Sequence, residues 1–148
     1  MNIKNKVAVI TGASGGIGQE VCIELARRQA RFVAMVDASD AVYEAAKLVN
    51  KITGDPVAQG FKGDVTNDEF RQSVYQELHR RFGCVNICVP AAGITRDALA
   101  VKVDKETGDI HMYPIETFRQ VMEVNLIAPI YWALEMVAGL SVMRRKAE

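Results

Sequence analysis

The chain has 148 residues, 49% of them hydrophobic and 24% charged, which suits one globular domain with a sizeable core. Lys plus Arg and Asp plus Glu number 18 each, so no charge excess points to nucleic acid or to an anionic membrane surface. The N-terminal Met1-Asn2-Ile3-Lys4-Asn5-Lys6 lacks an apolar signal region, and no apolar stretch is expected to reach transmembrane length; the expected location is cytoplasmic, with an organelle matrix as the alternative.

The run Val7-Ala8-Val9-Ile10 is too short for a helix and β-branched enough for a buried parallel strand, placed at 6–11. Thr11-Gly12-Ala13-Ser14-Gly15-Gly16-Ile17-Gly18 follows and opens a helix at about 16–29, with Ile17, Val21 and Leu25 on one face. A strand, a glycine-rich turn and a helix N-terminus make a diphosphate site. Glycines let the backbone approach phosphate oxygens, while first-turn N–H groups and the helix dipole favour negative charge. Gly12, Ser14, Gly15, Gly16, Ile17 and Gly18 are therefore candidate cofactor contacts.

A second strand at 31–37 closes on Asp37, about 20 residues past the glycines, where a carboxylate would accept from the adenosine ribose hydroxyls. The alternative is a turn or helix-capping aspartate. Ala38 and Ser39 follow, not arginine, so a 2′-phosphate would meet a bare carboxylate and NAD is favoured over NADP.

A helix at about 40–53 ends near Gly54, and a third strand near 57–62 leads to Asp64. Thr66-Asn67-Asp68-Glu69 has the capping-box pattern and starts a helix with Phe70, Val74 and Leu78 on one side, ending near Gly83. The fourth strand is Val85 to Val89, stopped by Pro90. Cys84 and Cys88 fall on it roughly 13 Å apart, too far for a disulfide. Cys22 lies within a helix, and His79 and His111 are far apart, so no metal site and a reducing compartment are expected. Residues 94–113 are irregular, read as a small hairpin around Lys105-Glu106-Thr107-Gly108-Asp109 or as a substrate-covering flap. Pro114 fits the first position of a long helix whose richer side carries Phe118, Val121, Met122, Asn125 and Trp132. The tail from Met143 reads as a solvated helix end. Strands alternating with helices over 1–148 predict a single α/β domain: a doubly wound parallel sheet with helices on both faces.

The glycine spacing at Gly12, Gly16 and Gly18 behind Thr11 resembles the short-chain dehydrogenase/reductase family. The resemblance continues at Asp64-Val65, at Ala92-Gly93 and at Val124-Asn125-Leu126, in family order; Ala92 to Asp97 is also similar to 3-oxoacyl-carrier-protein reductases. It implies a Rossmann-type sheet of four strands in the order 3-2-1-4, truncated before a fifth. Asp64 and Val65 would lie against the adenine, and Ala91, Ala92 and Gly93 beside the cofactor. Asn125 would help hold a catalytic proton relay, or else be hydrogen-bonded locally. The family moves a hydride between NAD(P) and a carbonyl or hydroxyl carbon, using a serine, a tyrosine and a lysine four residues after it. Those three groups have no matching positions here. Tyr43-Glu44-Ala45-Ala46-Lys47 has the tyrosine–lysine spacing but falls at the adenosine end, and Ser141 follows Asn125 with no strand between. Pro90-Ala91 also stand where the family usually has two asparagines.

The expectation is an NAD-dependent oxidoreductase of this type, acting on a small carbonyl or alcohol substrate, present as the cofactor-binding portion without its Ser/Tyr/Lys half. The alternatives are an inactive NAD-binding module, or an interaction protein using the helix at 114–143. Self-association is expected through that helix or through the strand-four edge, and neither nucleic acid nor membrane is an expected partner.

Overall fold

The computed structural model describes residues 2–147, and the side chains of residues 2–145. Strands β1 (Val7–Thr11), β2 (Phe32–Asp37), β3 (Ala58–Lys62) and β4 (Ile87–Pro90) form a parallel sheet in the order β3-β2-β1-β4. Between them run helices α1 (Gly16–Arg27), α2 (Ala41–Thr53) and α3 (Asp68–Phe82). The expected fold and strand order are observed.

Alternate residues of a strand point to opposite faces, and here both faces are covered. Ala8 and Ile10 of β1, with Val33 and Met35 of β2, pack under α1 and α2 against Cys22, Ile23, Leu25, Val42 and Val49. Val7 and Val9, with Ala34 and Val36, pack on the other side against Val74, Tyr75, Leu78 and Trp132. That second layer holds α3 and the last helix. The β4 edge opposite β1 pairs with no other strand among the described residues.

After β4 comes an exposed antiparallel hairpin, β5 (Val101–Val103) with β6 (Ile110–Met112), as the turn composition at 105–109 predicts. Then α4 (Ile115–Met122), a π-helical turn at Glu123–Ile127 and α5 (Ala128–Ala147) run on as one helical segment.

Several local readings are corrected. The buried face of α1 runs through Gly18, Cys22, Leu25 and Ala26, so Ile17 is 80% exposed. The cause is Gly18: a Cβ there would lie 2.2 Å from the Gly12 carbonyl oxygen, so this glycine faces the turn and rotates Ile17 outward. Asn67, not Thr66, caps α3, accepting from the Phe70 N–H at 2.7 Å. Thr66 is occupied, its N–H and hydroxyl both donating to Asp64 Oδ1. Cys84 precedes β4 and is not on it. Pro114 is the N-cap of α4, its carbonyl accepting from Phe118 N–H, one place earlier than expected.

The long helix differs most. Phe118 is exposed, Asn125 lies in the π turn, and the buried contacts come from Ala128 and Trp132, because α5 packs on α3 and β4 while Val124 of the π turn is only partly buried against the same layer. The helix Ile115–Arg145 also contains a stretch long and apolar enough to cross a membrane by length and composition, which overturns the expectation that no such stretch exists. Leu126 to Met143 carries one charged residue, Glu135, which is why the criterion is met.

Burial also sets cysteine chemistry. Cys22 is fully buried under α1, and desolvation pushes its thiol up to about 12. At pH 8 iodoacetamide is therefore expected to alkylate the half-buried Cys84 well before Cys22 in folded protein. Peptide mapping after a timed exposure checks it; equal labelling would contradict the packing of α1.

Candidate cofactor site

At the carboxyl ends of β1, β2 and β4 a cleft of about 220 Å3 is lined by Gly12, Asp37, Ala38, Asp64, Val65, Ala92, Gly93 and Val124. Four loops separated by dozens of residues meet there, because a parallel sheet delivers every strand end to the same edge.

The glycine turn is built by close approach. Gly12 has φ +67°, and a Cβ on it would sit 2.7–2.9 Å from the backbone of Ala91 and Ala92. Ala13 N–H donates to Val36 O at 3.1 Å. Ser14 N–H donates to Asp37 Oδ2 at 3.0 Å. The N–H groups of Gly15, Gly16, Ile17 and Gly18 have no acceptor among the described residues, apart from what a ligand would bring. They form the unsatisfied first turn of α1, where an anion is favoured.

Asp37 is held at both oxygens, Oδ1 accepting from Ser39 N–H at 3.0 Å and Oδ2 from Ser14 N–H. Each oxygen keeps lone-pair capacity for a hydroxyl donor. The turn-aspartate reading and the ribose-acceptor reading are thus both compatible with one geometry. Asp64 braces the start of α3 through Thr66, while Val65 is buried beside the cleft. Its carbonyl accepts from Trp132 Nε1–H at 2.9 Å.

Ala91 and Ala92 are carried by Thr11, which is itself buried. Thr11 O accepts from Ala91 N–H at 3.2 Å, and Thr11 Oγ1 from Ala92 N–H at 3.1 Å. This hydroxyl ties the ends of β1 and β4 together where Pro90-Ala91 offer no side-chain amide. Ala91 lies outside the cleft wall, whereas Ala92 and Gly93 are part of it. Asn125 pairs in both directions with the Ile94 backbone, Oδ1 accepting from N–H and Nδ2 donating to O, each at 2.8 Å. It therefore pins the loop after Gly93, from within the π turn, a feature frequent at functional sites.

Tyr43 does not line the cleft. It is exposed on α2, and Lys47 there pairs with Glu44 at 2.7 Å. Ser141 donates to Val137 O within α5. Neither is in the cleft.

Sequence reasoning missed the support behind Val65. Tyr75, buried on α3, donates its hydroxyl to Trp132 O at 2.6 Å, and burial raises its pKa far above the ordinary phenol value. Arg71, 4% exposed, bonds Asp68 at 2.6 Å and reaches Glu135 of α5 at 3.4 Å. Only the apolar surroundings of these two polar residues, Phe70, Val74 and Leu78, signalled that the face was buried.

A strand–glycine turn–helix unit, a carboxylate at the next strand end and a cleft at the sheet's carboxyl edge define a dinucleotide-binding Rossmann-type fold. The model of the short chain dehydrogenases matches residues 6–147, and the chain belongs to that family. It is 30% identical over 145 residues to the 3-oxoacyl-(acyl-carrier-protein) reductase FabG of Vibrio cholerae, covering 98% of this chain and 53% of the relative. With the FabG of Escherichia coli K12 the identity is 34% over 111 residues, 74% of this chain and 43% of that one. Among solved structures, a short-chain type dehydrogenase/reductase from Mycobacterium marinum superposes with a TM-score of 0.75 at 26% identity, covering 93% of this chain and 51% of the other. The chain thus spans about half the length of the curated relatives it matches.

Proposed function

We propose that this chain is the cofactor-holding portion of an NAD-dependent oxidoreductase that moves a hydride between nicotinamide and the carbonyl or hydroxyl carbon of a small substrate. The observation that carries it is the joint placement of the free first-turn amides of α1 and the Asp37 carboxylate, linked through Ser14 N–H. In this reading the amides of Gly15, Gly16, Ile17 and Gly18 take the pyrophosphate and Asp37 the adenosine ribose. Asp64 and Val65 flank the adenine, and Ala91, Ala92 and Gly93 approach the nicotinamide half. The bound cofactor supplies the hydride acceptor or donor; these residues bind and orient it. Asn125 acts here as a positioning residue for the loop at Ile94.

No residue of the cleft is a serine, tyrosine or lysine placed to exchange the substrate proton. Hydride transfer then needs groups from outside these 148 residues, and the stretch alone is an NAD-binding module without chemistry. NAD is preferred over NADP because the carboxylate at 37 repels a 2′-phosphate. The location is cytoplasmic, and the chain self-associates through its long helix, with the β4 edge as the other open surface.

Calorimetric titration of NAD and NADP tests the site. NAD is expected to bind at least about tenfold more tightly than NADP. Gly16→Val, which forces a β-branched side chain to φ +53°, is expected to weaken NAD by at least about tenfold. Equal NAD affinity in mutant and wild type would reject the phosphate turn.

A further inference from the structure

We propose that the β5–β6 hairpin is an arm that docks face to face on the hairpin of a second copy of this chain, antiparallel to it about a two-fold axis at the Val101–Met112 pair. This surface is separate from the long helix and from the β4 edge. The proposal therefore goes beyond the self-association reading above, and it does not depend on cofactor binding.

Alternation along the two strands gives the hairpin unlike faces. The register pairs Val101 with Met112, Lys102 with His111 and Val103 with Ile110. Val101, Val103, Ile110 and Met112 therefore share one face, and Lys102 and His111 share the other. Exposed Leu99 continues the apolar run at the base. These five apolar side chains are 56–76% exposed and belong to neither core layer. A two-stranded ribbon is marginal alone in water, and a sheet with one apolar face needs a cover.

The arm is braced at both ends, so it presents that face ready-made. At the base, Tyr113 N–H donates to Ala100 O at 2.9 Å, and the Tyr113 hydroxyl donates to Arg96 O. At the tip, Asp104 Oδ1 accepts from the N–H groups of Glu106 and Thr107, each at 2.9 Å. Gly108 there takes a left-handed φ of +75°.

Size and charge name the occupant. The five side chains leave roughly 600 Å2 open per copy, so two arms laid together remove about 1,000 Å2, where specific interfaces begin. Counted outward from Val101, the sequence is complementary to its own reverse. Leu99 meets Val103, Asp97 meets Lys105 and Arg96 meets Glu106. Among the described residues Arg96 otherwise donates only to the Thr95 carbonyl. A parallel arrangement would crowd together Asp104, Glu106 and Asp109 of both tips. Such self-complementarity is what an isologous contact requires.

Two measurements test this on the 148-residue chain. With a short bis-maleimide, Val101→Cys is expected to cross-link two copies at least about tenfold faster than Lys102→Cys, which sits on the outer face of the same strand. In sedimentation equilibrium, Val101→Glu places two carboxylates at the axis and is expected to raise the arm-to-arm Kd about 100-fold. Arg96→Glu and Glu106→Arg are each expected to weaken the contact by about twofold to fivefold at low salt, and the double reversal to restore it. All these sites are exposed, so circular dichroism is expected to match the wild type. Equal cross-linking of the two cysteine variants, association indifferent to Val101→Glu, or a double reversal weaker than either single one would overturn the proposal. So would co-flotation of the wild type with phosphatidylcholine vesicles. Pairing through the long helix alone would leave both cysteine variants at the same background rate. NAD titration of the same samples reads the cofactor site separately, so the two readings fail independently.

Discussion

Trp132→Ala is expected to destabilise the fold by about 3–5 kcal/mol, the range for emptying a large buried aromatic site. The indole is fully buried, with ring centroids 5.7 Å from Tyr75 and 6.2 Å from Phe70. Truncation leaves a cavity that α3 and α5 cannot both close on. It also leaves Val65 O, now bonded to Nε1–H, buried without a partner. Trp132→Phe separates the two effects: it keeps most of the volume and loses the N–H, for about 1–3 kcal/mol. Because Val65 lines the cleft, the phenylalanine variant is also expected to bind NAD more weakly than its stability loss explains. Urea unfolding and titration at a temperature where the variant stays folded would check both. Wild-type stability in Trp132→Phe would mean that the indole hydrogen bond contributes nothing.

Gly18→Ala is the second large effect. Its Cβ would meet Gly12 O at 2.2 Å and the Gly12 carbonyl carbon at 2.8 Å, and backbone has no rotamer with which to yield. Either α1 slides along the sheet or the glycine turn opens. The expected result is a loss of about 1–3 kcal/mol, as for overpacking, with NAD affinity reduced by more than about tenfold. Gly15→Ala is the matched control: its φ of −173° is extended backbone and nothing lies within 4 Å of the added Cβ. Thermal unfolding of the two variants side by side decides whether packing against Gly12 matters. Equal melting temperatures would contradict it.

The parts of the fold that were legible share one property: their signal is local. β1 and β2 read as continuous apolar runs because a parallel strand buries both faces. The turn at Gly12 to Gly18 read correctly because a short strand, glycines and a helix lie side by side in sequence. What stayed hidden depends on distant partners. Arg71 and Tyr75 look like solvent-facing residues until Glu135 and Trp132, about 60 positions away, arrive beside them. Ile17 fits an apolar helical face, but the rotation of α1 is set by one glycine–carbonyl contact that periodicity does not encode. The π turn around Asn125 changes the helical repeat for five residues, so faces drawn at constant period before it do not carry through it.

The double grip on Asp37 has a consequence for anyone wishing to change cofactor preference. Its carboxylate is also a strut: Oδ2 receives Ser14 N–H, and so sets the height of the glycine turn above the end of β2. On the proposed assignment of Asp37 to the adenosine ribose, exchanging it for arginine to welcome a phosphorylated ribose would remove that strut along with the repulsion. A successful redesign has to hand the orphaned amide a new acceptor.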